Sequence, residues 1–260
     1  MAKAPPEPTR AGDVAEIQAV SRAAQLLALY GPDTPVLTAG EAAERLGLNR
    51  TTAYRYCTSL VSAGLLERGV EAGTFIPGGL LLQLGAYSLG RRRVMDLAPV
   101  HLRALSTNAR MTAVLSLWGS TGPVVSRVEE QAGPIVLVTV RLGSHLPFDA
   151  AQSKVFAAFH SDDFAITRLM ANLPHDLRAR LETEVAQVRS VGYCSTSSTP
   201  GVVAIAAPVF DEYGLCATLA VVSTDNALST TADAPELAMV IAAARELTKE
   251  MGGHYTPDNP

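Results

Sequence analysis

The chain has 260 residues, 48% of them hydrophobic and 18% charged, with a formal net charge of −4 at pH 7. That length and apolar content suffice for two cores of ordinary size, and the apolar runs are too short to supply a transmembrane helix. The charge divides unevenly. Residues 1–95 carry ten Lys/Arg against eight Asp/Glu, whereas residues 96–260 carry eleven against seventeen, so only the N-terminal part suits a polyanion. Cys57, Cys194 and Cys216 form no CxxC pair, and the five histidines stand at no metal-ligand spacing, so reduced buried thiols are expected, with no metal and no cofactor. Cys194, beside Tyr193, is where a redox-sensing thiol would have to sit.

The opening MAKAPPEPTR lacks the apolar core of a signal peptide, which predicts a disordered lead-in over residues 1–12 and a cytoplasmic protein. A helix is expected from Val14 to Tyr30, with Ile17, Val20, Ala24, Leu27 and Leu29 as its apolar stripe and Gly31-Pro32-Asp33 as its stop. Thr38 followed three residues later by Glu41 has the form of a capping box, which starts a second helix with Ala42, Ala43 and Leu46 on its inner face. Gly47 supplies the left-handed turn that ends it. Asn49 then caps a third helix whose first turns present Arg50, Thr51, Thr52, Tyr54 and Arg55. Two short helices about a tight turn, the second opening with such side chains, form the layout in which the second helix reads bases in the major groove. A plain helical hairpin is the alternative for that stretch alone. Two short strands, Leu65–Arg68 and Thr74–Pro77, follow around the turn at residues 69–73 and complete a winged helix over residues 13–78. The wing holds Gly69, Val70 and Glu71, so phosphate contacts fall to Arg50, Thr51, Arg55, Arg68 and Arg22.

Residues 78–93 predict a linker helix with apolar residues on more than one face, a pattern expected where a helix packs against its own domain and against a partner subunit. The cluster Arg91-Arg92-Arg93 fits a solvated helix C-terminus better than a phosphate contact. Beyond it the pattern turns to mixed α and β. Helices are expected at Leu97–Asn108, Lys154–Phe159, Asp176–Val191 and Pro235–Met251. Strands are expected at Thr112–Trp118, Pro123–Glu129, Ile135–Val140, Val202–Phe210 and Leu215–Ser223. The fold class is therefore α+β: an N-terminal winged helix-turn-helix, a linker helix over residues 79–95, an antiparallel sheet domain with flanking helices over residues 96–253, and a tail over residues 254–260. No phosphate-binding GxGxxG, P-loop, GxSxG elbow or HExxH is present, so no enzyme is expected.

Taken together, IQAVSRAAQLLALY, AGEAAERLGLNRTTAYRYCTSLVSAGLLER, GTFIPGGLLLQLG, GSHLPFDAAQSKVFAAF, VGYCSTSSTPGVVAIAAPVFDEYG and LAVVST resemble, in order along nearly the whole chain, the IclR (isocitrate lyase regulator) family of bacterial transcription factors. The resemblance implies a dimer or tetramer on a double-stranded DNA operator that is pseudo-palindromic, and a GAF- or PAS-like effector domain. The implied effector pocket lies at one end of the sheet. Its walls map to Leu146, Phe148, Ala150 and Ala151; to Ser198 and Thr199; and to Ala206 and Pro208 with Val221 and Ser223. Trp118 would join them. Hydroxyls at Ser198, Thr199 and Ser223 would bond a carboxylate or carbonyl without adding charge. The largely apolar lining favours a small hydrophobic or aromatic acid over a sugar acid. The loop before Ser153-Lys154 departs from the family's Gly-Lys pattern, and STSST replaces a more acidic run. A competing expectation is a winged helix that binds protein rather than DNA, carrying a vestigial sensor domain.

Overall fold

A computed structural model describes residues 17–120, 122–131, 138–171 and 173–255, with the backbone alone at residues 163, 164, 168, 169, 198 and 199. The chain separates into two compact units that divide between Ala86 and Tyr87.

In the N-terminal unit, helices α1 (Gln18–Leu27), α2 (Ala39–Leu46) and α3 (Arg50–Ser62) enclose a core of Leu26, Ala42, Cys57, Leu60, Leu66 and Phe75. Helix α1 stops three residues earlier than the apolar stripe suggests, and Val14, where the expected helix starts, lies outside the described residues. Leu29 and Tyr30 still pack on the core, but from a turn, with the Tyr30 hydroxyl donating to the Phe75 carbonyl at 3.1 Å. The hairpin of β2 (Leu66–Arg68) and β3 (Thr74–Pro77) forms as expected from its residues. A two-residue strand that the periodicity did not reveal, β1 (Leu37–Thr38), adds to β3 and closes a three-stranded sheet in the order β1-β3-β2. Two residues are too few for a period of two to register. Helix α4 (Gly79–Gly90) follows and ends three residues short of the expected linker; its composition predicted burial on two sides, yet none of its residues is buried within the chain.

The C-terminal unit is a three-layer α+β structure. Its five-stranded antiparallel sheet has the order β5-β4-β8-β7-β6, built from β4 (Thr112–Trp118), β5 (Pro123–Glu129), β6 (Cys194–Thr199), β7 (Val202–Asp211) and β8 (Gly214–Thr224). Helices α5 (Arg93–Ala109) and α9 (Pro235–Met251) cover one face, where Leu102, Leu105, Val240, Ala244 and Leu247 meet Leu115, Ile205, Ala207, Val209, Leu219 and Val221. Helices α6 (Ala151–Phe159), α7 (Asp163–Ala171) and α8 (His175–Val191) cover the other, where Val155, Ile166, Leu181 and Val185 meet Cys194, Ala206 and Ala220. Successive strand residues feed opposite cores, which is why β4, β7 and β8 are apolar almost throughout.

The elements of this unit depart from expectation at several places. Half of the strand expected at Ile135–Val140 lies outside the described residues, and residues 138–140 are irregular. The outer edge of β5 is instead met by residues 143–146: Leu146 N–H donates to Pro123 O and Val125 N–H to Ser144 O. The stretch holding Ser198 and Thr199, where no strand was expected, is an edge strand, β6, whose polar side chains hid its pairing with β7. Helix α6 begins three residues before Lys154, and α5 begins at Arg93, four residues before the expected start.

Candidate functional site

The N-terminal site is built by two helix caps. Thr38 Oγ1 accepts from Glu41 N–H at 3.2 Å, while the Glu41 carboxylate accepts from Thr38 N–H at 2.7 Å, which fixes the start of α2. Gly47 turns the chain at φ 64°, a conformation that disfavours any residue with a β-carbon. Asn49 Oδ1 then accepts from Thr52 N–H at 2.7 Å and starts α3. Ala53, Cys57 and Leu60 point inward at helical spacing, so Arg50, Thr51, Tyr54 and Arg55 are turned to solvent as one surface. Thr52 is half-buried, its amide held by the cap. The Tyr54 ring meets Phe75 of β3 edge-on at 6.3 Å, and the Arg68 guanidinium lies over the same ring at 5.9 Å, so one buried phenylalanine sets helix and wing together. The wing tip offers Val70, fully exposed, and Glu71. Arg22 is half-buried: its Nη1 donates to Leu46 O at the end of α2 at 3.5 Å and to Gln25 at 3.3 Å. The first of these contacts ties α1 to α2.

In the C-terminal unit the expected pocket residues divide between the two faces of the sheet. Trp118, Phe148, Ala151 and Ala206 belong to the core beneath α6 and α8, and Pro208 lies on that side by its register with Thr218. Leu146 and Ala150 sit in the loop and cap that lead into α6. Val221 pairs with Ile205 and Ser223 with Val203, which places both against α5 and α9. They cannot share a wall with Ala206. The correction is a slip of one residue: with a side-chain period of two, it moves a strand's contribution to the opposite face. Ala220 and Val222, paired with Ala206 and Ala204, occupy the α6 side instead. Ser198 and Thr199 end β6, and their side chains lie outside the described residues.

The same face carries polar groups absent from the sequence expectation. Ser116 and Thr218 are cross-strand partners with no exposure. Gln152 donates from Nε2 to Thr218 O and Thr218 Oγ1, both at 3.1 Å, and to Val114 O at 3.4 Å. Lys154, 5% exposed, pairs with Glu184 of α8 at 2.8 Å and donates to Thr196 Oγ1 at 3.2 Å. A cavity of about 390 Å³ opens beside this pair, lined also by Gln187, Tyr193, Cys194 and Thr230. The only sequence sign of this cluster was polar residues interrupting apolar runs in LSLW, CATLA and AQSKVF. Trp118 stacks against Phe156 at 5.4 Å and His160 at 4.5 Å, so its ring is part of an aromatic group at the end of α6. Burial pushes the Cys194 thiol up to about 11 despite the nearby Lys154 ammonium, which is the state of an inert core thiol rather than a sensor. Among the described residues no cluster of His, Cys, Asp or Glu fits a metal ion, and no helix is long and apolar enough to cross a membrane.

Residues 19–69 match the IclR helix-turn-helix domain, and residues 86–249 match the bacterial transcriptional regulator IclR C-terminal domain. The chain belongs to the IclR family. It is a transcriptional regulator with a helix-turn-helix DNA-binding domain and a C-terminal effector-binding domain, and the members of this family are transcription factors rather than enzymes. Among curated IclR relatives, the chain is 26% identical over 208 residues to the HTH-type transcriptional regulator XynR of Escherichia coli, covering 75% of this chain and 81% of that one. It is 26% identical to the regulator BhcR of Paracoccus denitrificans over 92% of this chain and 88% of BhcR. A crystal structure of an IclR regulator from a Silicibacter species superposes with a TM-score of 0.80 over 93% of this chain and 99% of that one, at 23% identity. An IclR homologue from Microbacterium hydrocarbonoxydans, complexed with 4-hydroxybenzoate, shares the fold at a TM-score of 0.67 and 20% identity, over 90% of this chain and 98% of that one.

Proposed function

We propose that this regulator works as a dimer or tetramer in the cytoplasm and reads a pseudo-palindromic operator with Arg50, Thr51, Tyr54 and Arg55, flanked by Asn49, Thr52 and Arg68. The observation that carries the reading is the division of α3, with Ala53, Cys57 and Leu60 inward and two arginines, a threonine and a tyrosine together on the outer surface. Two such helices, held about 34 Å or a multiple apart, would enter successive major grooves. The sparse charge of the unit and the acidic wing make side-chain contacts from α3 more important than general attraction to phosphate. In a footprint of the upstream region of its own gene at fixed salt, Arg50→Ala and Arg55→Ala should each weaken protection at least about tenfold with unchanged melting. Wild-type footprints in both variants would remove α3 as the reading element.

The effector is proposed to be a small organic acid, with an aromatic ring preferred, bound on the α6 face of the C-terminal sheet. Phe148, Ala151, Ala206 and Pro208 would form the apolar wall, with Leu146, Ala150 and Trp118 at its margin. Ser198 and Thr199 close β6 beside Val202, six residues or about 20 Å along β7 from Pro208, so the register takes them out of a wall that includes Pro208 and Trp118. The Ser116 hydroxyl, buried on this face without a hydrogen-bond partner among the described residues, supports a ligand with a polar end. A ligand bound only by the folded state raises its melting temperature. Thermal-shift titration should give a rise with 4-hydroxybenzoate or a similar aromatic acid and none with sugar acids; the reverse ranking would sink the aromatic assignment.

A further inference from the structure

Arg50 opens α3, yet its guanidinium extends back over the first turn of α2. The three atoms nearest to where a β-carbon on Gly40 would sit all belong to it: Nη2 at 3.1 Å, Nε at 3.4 Å and Cζ at 3.6 Å. Gly40 is the second residue of α2 and has an ordinary helical backbone, so no turn or positive φ requires glycine there. In a helix, glycine costs stability relative to alanine. The arrangement also brings a cation to the positive end of the α2 dipole, which is unfavourable for the free protein. The fold gains from neither feature. What the missing side chain provides is room, a bare stretch of backbone against which a flat guanidinium can lie.

We propose that Gly40 is a positioning residue for DNA binding: its absent side chain seats the Arg50 guanidinium across the start of α2, in the place from which it meets the operator. This rests on the reading of α3 as the recognition helix with Arg50 as a contact. A methyl group at residue 40 would stand closer to the guanidinium than van der Waals contact allows. Arg50 is exposed and long, so its guanidinium would yield by a few tenths of an ångström and lose its close seat on the backbone rather than strain the helix. Binding and stability should then move in opposite directions, which is the signature of a site kept for function at the expense of its helix.

The test uses the full-length protein and a fluorescent duplex selected by the wild type from a random-sequence pool, with affinity read by anisotropy at one salt concentration. Arg50→Ala should weaken binding about tenfold or more, and Gly40→Ala about three- to tenfold, while Gly40→Ala melts at or above the wild-type temperature. The double variant should bind no more weakly than Arg50→Ala alone, because the seat has nothing left to hold. In an Arg50→Lys background, where no flat guanidinium covers residue 40, adding Gly40→Ala should change affinity less than about twofold. Wild-type affinity in Gly40→Ala, with Arg50→Ala still weak, would overturn the seat and leave the recognition helix standing. Losses that multiply in the double variant would overturn it too, since Gly40 would then act without Arg50. Wild-type affinity in Arg50→Ala would reject the arginine contact itself and the seat with it.

Discussion

At the residue scale, the two caps of the helix-turn-helix do different work. Asn49 closes one amide of α3, whereas Thr38 and Glu41 close each other's amides and hold α2 from both sides. Thr38→Ala should cost about 1 kcal/mol, measurable by urea unfolding. The bond from Thr38 N–H, and then the Thr38 hydroxyl, hold the Glu41 carboxyl below its ordinary range. A carboxyl depressed by folding adds stability above the ordinary glutamate range and loses it as pH falls through the depressed value. The main-chain N–H survives in Thr38→Ala, so the gap in melting temperature to wild type should narrow in acid only by the share that the hydroxyl carries; a gap constant with pH would show that the hydroxyl does not act through the carboxylate. Burial likewise raises the thiols of Cys194, to about 11, and Cys216, to about 12. At neutral pH neither should react with iodoacetamide until the protein is unfolded, and rapid native labelling of Cys194 would restore it as a sensor.

At the scale of elements, α6 is a buried strut whose polar residues fasten it to its neighbours. Gln152 ties it to β4 and β8, and Lys154 ties it to β6 and α8. Gln152→Leu should cost about 1–3 kcal/mol, because the Thr218 hydroxyl loses a buried partner. The two halves of the ion pair are unequal. The Lys154 side chain is 6% exposed, whereas Glu184 is 35% exposed and also lies 3.5 Å from Arg180. Glu184→Gln strands an ammonium in the core, while Lys154→Met leaves a carboxylate that still has Arg180 and solvent. Glu184→Gln should be the more destabilising by about 2 kcal/mol, a value discounted for the exposure of the glutamate. Equal losses in urea melts would mean that the lysine is solvated better than its burial implies.

For the whole molecule, helix α4 carries a row of exposed apolar side chains. Leu82 is 77% exposed and Tyr87 65%, with Leu84 and Leu89 also open to solvent. Such a surface is unusual on a monomer and suits a partner subunit. Leu82→Glu with Leu84→Glu should convert an oligomer to a monomer in sedimentation velocity. It should also lower operator affinity by more than about tenfold, because two linked heads bind with a high effective concentration and one does not. An oligomer surviving both substitutions would move the interface elsewhere.

The helix-turn-helix was legible because its signals are local. Thr38, Glu41, Gly47 and Asn49 act within three or four residues of themselves, and those caps and turns were named from their order in the chain. Nearly continuous apolar runs likewise revealed β4, β7 and β8, whose two sides each face a core. The polar edge strand β6 and helix α7 left no such pattern. The effector face was harder for a different reason. Which side of the sheet Val221 and Ala220 occupy depends on pairing with β7, and a slip of one residue exchanges them. The sequence by itself determined the family, the α+β class and the surface that α3 turns to solvent, since each rests on short-range chemistry. Only the tertiary structure decided which strand residues face α6, that Arg22 bonds to the end of α2, and that Arg50 lies over Gly40. Those depend on contacts between segments far apart in the chain or across a turn, where no sequence period records which side chain meets which.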